Sequence, residues 1–204
     1  VESLAAVAAI LKHGSKSYKS IGNGRSLGTK LISLDGFFNN PGLYEVDLGT
    51  SLEFIIDEIG GGFNADIKAI QIGGPLGGIV PVDKLKSLTL DFEVFAEAGF
   101  LLGHASFVCI PRSFSAVEYA KHLFAFTAHE SCGKCFPCRL GSTRGKEMLG
   151  SAIDNNQKFS EELIYDLLET MEVGSLCALG GGLPLAIKNL LEHCSDEFKP
   201  LMEK

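Results

Sequence analysis

The sequence predicts an α+β fold in two parts, a small strand-rich unit followed by a bundle of four helices. Three observations carry this expectation. Between 30 and 112, short β-branched and aromatic segments alternate with glycine, asparagine and proline turns. From 113 to 204, apolar residues recur at helical spacing behind residues that cap helix N-termini. Cys132, Cys135 and Cys138 fall close together, where the first of those helices gives way to the second.

Residues 1–29 open with LAAVAAIL, a helical pattern too short to persist unless its apolar face meets a partner. The loop SIGNGRSLGTK follows. Its Gly22, Gly24 and Gly28 miss the dinucleotide fingerprint, because the third glycine comes one place late and no strand–loop–helix surrounds it. The spacing to Lys30 is wrong for a phosphate-binding P-loop.

LISLDGFF and LYEVDLG read as strands joined by the turn Asn39-Asn40-Pro41-Gly42. Thr50-Ser51-Leu52-Glu53 fits a capping box. It predicts a helix over 51–59 that buries Leu52, Ile55, Ile56 and Ile59 and stops at Gly60. IKAIQIGG and ASFVCIP read as further strands. Between them GGPLGG is a turn or lines a ligand site. Two strands, a helix across them and more strands make a unit of the β-grasp kind.

In the helical part Ser115 and Glu118 form a second capping box, and Ala116, Tyr119, Leu123 and Phe126 share a face. Further helices are expected over 136–153, 160–172 and 183–195, with Ser160 capping the second of these and Glu161 and Glu162 in its first turn. Short links between four helices suggest a bundle.

The net charge of -7 argues against nucleic acid or an anionic membrane as the main partner. The uncharged run 98–111 is too short to span a bilayer. No basic leader and cleavage site opens the chain, which points to a cytoplasmic protein, and valine at position 1 suggests a piece of a longer product.

Six cysteines grouped this way suggest metal rather than disulfides. In Cys132-Gly-Lys-Cys135-Phe-Pro-Cys138, two residues between thiolates let successive sulfurs converge on one inorganic centre. With Cys177 as the distant fourth ligand, they complete the set for a [4Fe–4S] cluster. The glycines of GSLCALGGG would let backbone amides approach the sulfurs. Zinc is the rival, although a Cys₄ zinc site usually pairs two CxxC knuckles and the second is missing here. A redox-active CxxC is disfavoured, because a third thiol would scramble the pair. Cys109 and Cys194 read as small core residues, and His129 as a cap or surface residue. Lys134, Arg139, Arg144 and Lys146 either offset the cluster's charge or form a solvated basic face.

The stretches HESCGKCFPCRLGSTRG and GSLCALGGGLPL resemble the NADH-binding flavoprotein family. That family includes the flavin-carrying subunit of respiratory complex I, the diaphorase subunits of NAD-reducing hydrogenases and the β subunit of NAD-dependent formate dehydrogenases, the branch these stretches resemble most. The resemblance runs over essentially the whole chain. It implies that 1–29 is the tail of a flavin- and NADH-binding domain, 30–112 a soluble-ligand-binding β-grasp domain, and 113–204 the helical [4Fe–4S] domain. It also implies that Ser3, Ala178 and Leu179 lie near FMN, and that the partners are other iron–sulfur subunits of a multi-subunit oxidoreductase. The family's glycine-rich flavin loop and NADH pocket precede the segment matched by Val1 and are not in this sequence. The resemblance therefore implies FMN and NAD(H) for the parent assembly and electron relay, not NADH oxidation, for these residues. The alternative is a zinc-stabilised docking module with a β-grasp ligand site. No Ser/His/Asp or paired-carboxylate arrangement suggests a catalytic residue.

Overall fold

The computed structural model describes residues 1–203. The chain divides into two compact units, Val1–Gly74 with Val80–Pro111, and Pro75–Ile79 with Arg112 onward.

The first unit begins with helix α1 (Glu2–His13), the short α2 (Ser15–Lys19) and a hairpin of β1 (Gly22–Asn23) and β2 (Ser26–Leu27). Helix α1 buries none of its residues, and Leu4 and Leu11 stand largely exposed. Its first residue anchors it, since the Glu2 carboxylate pairs with Lys30 and accepts the Leu31 N–H at 3.0 Å.

A mixed five-stranded sheet follows, built from β3 (Thr29–Leu34), β4 (Gly42–Asp47), β5 (Ile67–Ile72), β6 (Gly78–Pro81) and β7 (Ser106–Pro111) in the order β4-β3-β7-β5-β6. Strand β3 runs antiparallel to β4 and parallel to β7, and β5 runs antiparallel to β7. Helix α3 (Leu52–Phe54), extended by a π-helical turn over Ile55–Ile59, and helices α4 (Val82–Leu85) and α5 (Phe92–Glu97) complete the unit. Its core holds Ile32, Phe38, Leu52, Ile55, Ile70, Phe95 and Phe107.

The expected capping box is displaced by one residue. Ser51 Oγ accepts the Phe54 N–H, while the Thr50 hydroxyl is taken by the Asp47 carbonyl at 2.7 Å as the chain leaves β4. The Glu53 carboxylate turns outward to Lys86 at 2.7 Å. Leu52, Ile55 and Ile56 are buried as expected, but the wider π-turn leaves Ile59 half-buried.

The second unit contains α6 (Ala116–Glu130), α7 (Phe136–Asn155), β8 (Phe159–Ser160), α8 (Glu161–Gly174), α9 (Ala178–His193), α10 (Ser195–Phe198) and β9 (Met202–Glu203), with β8 and β9 parallel. Ser115 accepts the Glu118 N–H and Ser160 the Leu163 N–H, so both predicted caps form. Helix α9 starts five residues before the expected 183, and Gly180, Gly181 and Gly182 are helical rather than loop. Burial of Gly180, Leu183, Ile187 and Leu190 along one stripe outweighs the cost of glycine in a helix. Asn189 Oδ1 accepts the Ile79 N–H at 3.1 Å and holds the segment 75–79 to this unit.

Helix α7 meets its neighbours through glycines. A methyl on Gly141 would sit 2.7 Å from Met171 Cγ of α8, and one on Gly145 would overlap the Phe124 ring of α6. Replacing Gly145 by alanine should therefore overpack a closed interface and cost about 1–3 kcal/mol. The check is a urea titration in which the midpoint falls while the slope holds, with Glu147→Ala on the exposed face as a near-neutral control.

Candidate metal centre

Helix α6 ends at Glu130, and Ser131 turns the chain into extended geometry. Gly133 follows at φ +77°, a conformation in which L side chains are strained. Two contacts fix this turn, one of them from α7. Ser131 Oγ accepts the Gly133 N–H at 3.2 Å, and the Arg139 guanidinium donates to the Gly133 carbonyl at 3.1 Å while lying 5.0 Å over the Phe136 ring. Cys135 is the N-cap of α7, and Pro137 fits the first turn because no backbone donor is needed there. One turn on, Cys138 is buried, with its thiol 3.5 Å from Ser131 Oγ.

A second arm comes from the α8–α9 connection. Ser175 leaves α8 in extended geometry, and Cys177 is the N-cap of α9. The arms meet at two points. The Leu176 amide hydrogen-bonds to the Cys135 sulfur and, with the amides at the head of α7, holds that thiol below the usual cysteine range. At Gly180, a Cβ would lie 2.5 Å from Ser175 Oγ, 2.6 Å from Cys138 Cβ and 3.0 Å from Cys138 Sγ. Hydrogen at this position is what lets α9 reach Cys138.

The electrostatics follow from the two helix heads. Helices α7 and α9 each start immediately after a cysteine, and neither has an acidic residue in its first turn. Their positive ends favour an anionic group. The residues fit a [4Fe–4S] cluster by two observations. The donor set is four thiols, Cys132 and Cys177 exposed, Cys135 half-buried and Cys138 buried. Ser175 Oγ is buried without a hydrogen-bond partner among the described residues.

Residues 118–200 match the family model of the NADH-ubiquinone oxidoreductase-F iron-sulfur binding region. This region of the chain belongs to that family. Over 202 residues the chain is 34% identical to the NADP-reducing hydrogenase subunit HndC of Solidesulfovibrio fructosivorans, covering 98% of this chain and 41% of that protein. It is 30% identical over 207 residues to the mitochondrial NADH-ubiquinone oxidoreductase 51 kDa subunit of Aspergillus niger, covering 100% of this chain and 41% of the relative. The chain thus spans less than half the length of these relatives. It also resembles a chain of the NAD+-reducing [NiFe]-hydrogenase in its air-oxidized state, with a TM-score of 0.86 and 26% identity over 99% of this chain and 35% of that one.

Ser3 is exposed on α1 in the first unit, whereas Ala178 and Leu179 form the first turn of α9 in the second. Cys109 is buried in β7, where its N–H donates to Asp35 Oδ2 at 2.7 Å. Burial and the neighbouring Asp35 charge push its thiol far up. Cys194 closes α9, and His129 pairs with Glu130 at 2.9 Å on the surface. Arg139 serves the turn, Arg144 pairs with Glu147 at 3.6 Å, and Lys134 and Lys146 are exposed. Sequence reasoning gave Gly180 a part in admitting backbone amides rather than Cys138, and did not single out Ser131 or Ser175. The only signal was their closeness to cysteines in sequence.

Two outcomes are expected. Gly180→Ala should lower iron and sulfide per chain by more than half with helical circular dichroism retained, because the methyl displaces Cys138 rather than a helix. Cys109 should resist iodoacetamide at pH 8 in the folded, iron-loaded chain and react in urea, where its pKa returns to about 8.5. Peptide mapping reads both states.

Proposed function

We propose that this chain is the electron-transfer part of an NAD(H)-dependent flavoprotein oxidoreductase, with a [4Fe–4S] cluster on Cys132, Cys135, Cys138 and Cys177. It relays electrons between FMN and further clusters in a formate dehydrogenase, hydrogenase or complex I type assembly. The carrying observation is the joining of two cysteine-bearing helix heads by the Leu176 amide and the bare Cα of Gly180. Bound there, the cluster would supply one-electron uptake and release. The chain's own part is to hold and shield it. Amides at the heads of α7 and α9 offset negative charge, buried Cys138 closes one side to water, and exposed Cys132 and Cys177 leave the other side open to a redox partner.

The finer assignments belong to the same reading. The sheet unit is of the β-grasp, soluble-ligand-binding type, which its order β4-β3-β7-β5-β6 and the parallel β3–β7 pair support. Helices α6, α7, α8 and α9 are the four-helix bundle. Residues 1–29 are the tail of a flavin domain, 30–112 the β-grasp domain and 113–204 the cluster domain. Ser3, Ala178 and Leu179 lie near FMN in the parent assembly, where NAD(H) also binds, and the partners are further iron–sulfur subunits. Among the described residues no helix is long and apolar enough to cross a membrane, in keeping with a cytoplasmic location at or away from a membrane complex.

Anaerobic purification followed by metal and acid-labile sulfide analysis tests this. About four irons and four sulfides per chain are expected. An S = 1/2 electron paramagnetic resonance signal should appear on dithionite reduction and disappear in Cys177→Ser. Zinc without sulfide would overturn the relay and leave a docking module.

A further inference from the structure

Two serines lie beside the buried ligand Cys138. Ser131 Oγ already accepts the Gly133 N–H at 3.2 Å, which occupies a lone pair and leaves the hydroxyl proton free to turn elsewhere. Its neighbour at 3.5 Å is Cys138 Sγ. In the free thiol, cysteine donates across that gap. As an iron ligand the sulfur carries no proton, so the direction must reverse and Ser131 becomes the donor.

Ser175 is the second. Its Oγ is buried with no hydrogen-bond partner among the described residues, a cost of about 1–3 kcal/mol if it stayed unmet. The point beside Gly180 that lies 2.5 Å from this oxygen lies 3.0 Å from Cys138 Sγ. An unmet donor beside a sulfur ligand has an evident acceptor once that sulfur and the cluster it holds are anionic. The structural alternative, that both hydroxyls merely fill space, leaves the Ser175 proton without a partner.

We propose that the hydroxyls of Ser131 and Ser175 hydrogen-bond to sulfur at the Cys138 corner of the bound cluster and raise its reduction potential. The inference rests on the cluster assignment above. A donor to a ligand sulfur draws off negative charge, and the reduced state, one electron richer, gains more from it than the oxidised state does. The couple moves one electron with no proton transferred, since each hydroxyl keeps its hydrogen. Ser131 and Ser175 are positioning residues. Each acts through the sulfur and not on a substrate.

The test is a dye-mediated redox titration of the full chain, loaded anaerobically with iron and sulfide and followed by the reduced S = 1/2 signal. In Ser131→Ala, the oxidised-to-reduced ratio at a fixed potential should rise by up to about tenfold, equivalent to about 59 mV for one electron. Ser175→Ala should shift the same way, and Ser131→Thr, which keeps the hydroxyl, should return to the parent value. Iron and sulfide content must stay at the parent level in the variants that are compared. An unchanged midpoint in Ser131→Ala, or an equal shift in Ser131→Thr, would overturn the proposal. So would a Ser131→Ala chain that takes up no cluster alongside a Ser175→Ala chain with the parent midpoint, because the serines would then assemble the site without tuning it. Failure of the underlying assignment looks different, since the unsubstituted chain itself would lack the signal.

Discussion

The approach of α9 to α7 governs the rest of the helical unit. Cys138 projects from α7 into the space beside Gly180 of α9, and a single methyl group there would lie 2.6 Å from its Cβ. That closeness brings the loop before α9 near enough for the Leu176 amide to reach the Cys135 sulfur. Cysteines separated by 39 residues, Cys138 and Cys177, are thereby carried on packed neighbours. The glycines Gly141 and Gly145 repeat the device further along α7 against Met171 and Phe124, so the N-terminal half of this helix is drawn close to its partners.

Charge reinforces this packing. Four thiolates and an inorganic cluster concentrate negative charge, which a protein interior tolerates only if fixed dipoles or cations oppose it. Here the opposition is mostly backbone. Two helices begin at cysteines proposed as ligands, with no carboxylate in either first turn, and Arg139 is engaged with the Gly133 carbonyl and the Phe136 ring. Backbone dipoles cannot move away or exchange with salt as surface lysines do, which suits a centre whose charge changes by one unit in use. By contrast, Cys109 sits beside Asp35 in an apolar strand, and its environment suppresses the thiolate.

Much of the second unit is legible in the sequence because its signals are local. Ser115 and Ser160 cap helices through bonds to residues three places on, and the apolar stripes follow a fixed period. The cysteine motif is legible for a chemical reason, since few functions other than metal binding need thiols so closely spaced. What escapes is set by tertiary contact. Thr50 and Ser51 are equally good caps by type, and only the Asp47 carbonyl decides between them. Gly180-Gly181-Gly182 reads as loop because glycine is a poor helix former, yet Gly180 is buried in a helix that needs its missing side chain. Ser131 and Ser175 carry no sequence signal beyond adjacency, and their meaning depends on a sulfur brought in by the fold.

On the proposed function, these two helix heads hold a cubane of iron and sulfur rather than a single metal ion. Iron K-edge X-ray absorption on the intact loaded chain separates the two. A cubane gives iron in an all-sulfur first shell with a second shell of neighbouring iron atoms, both lost together in Cys177→Ser. A metal with a sulfur shell and no metal neighbour would contradict it.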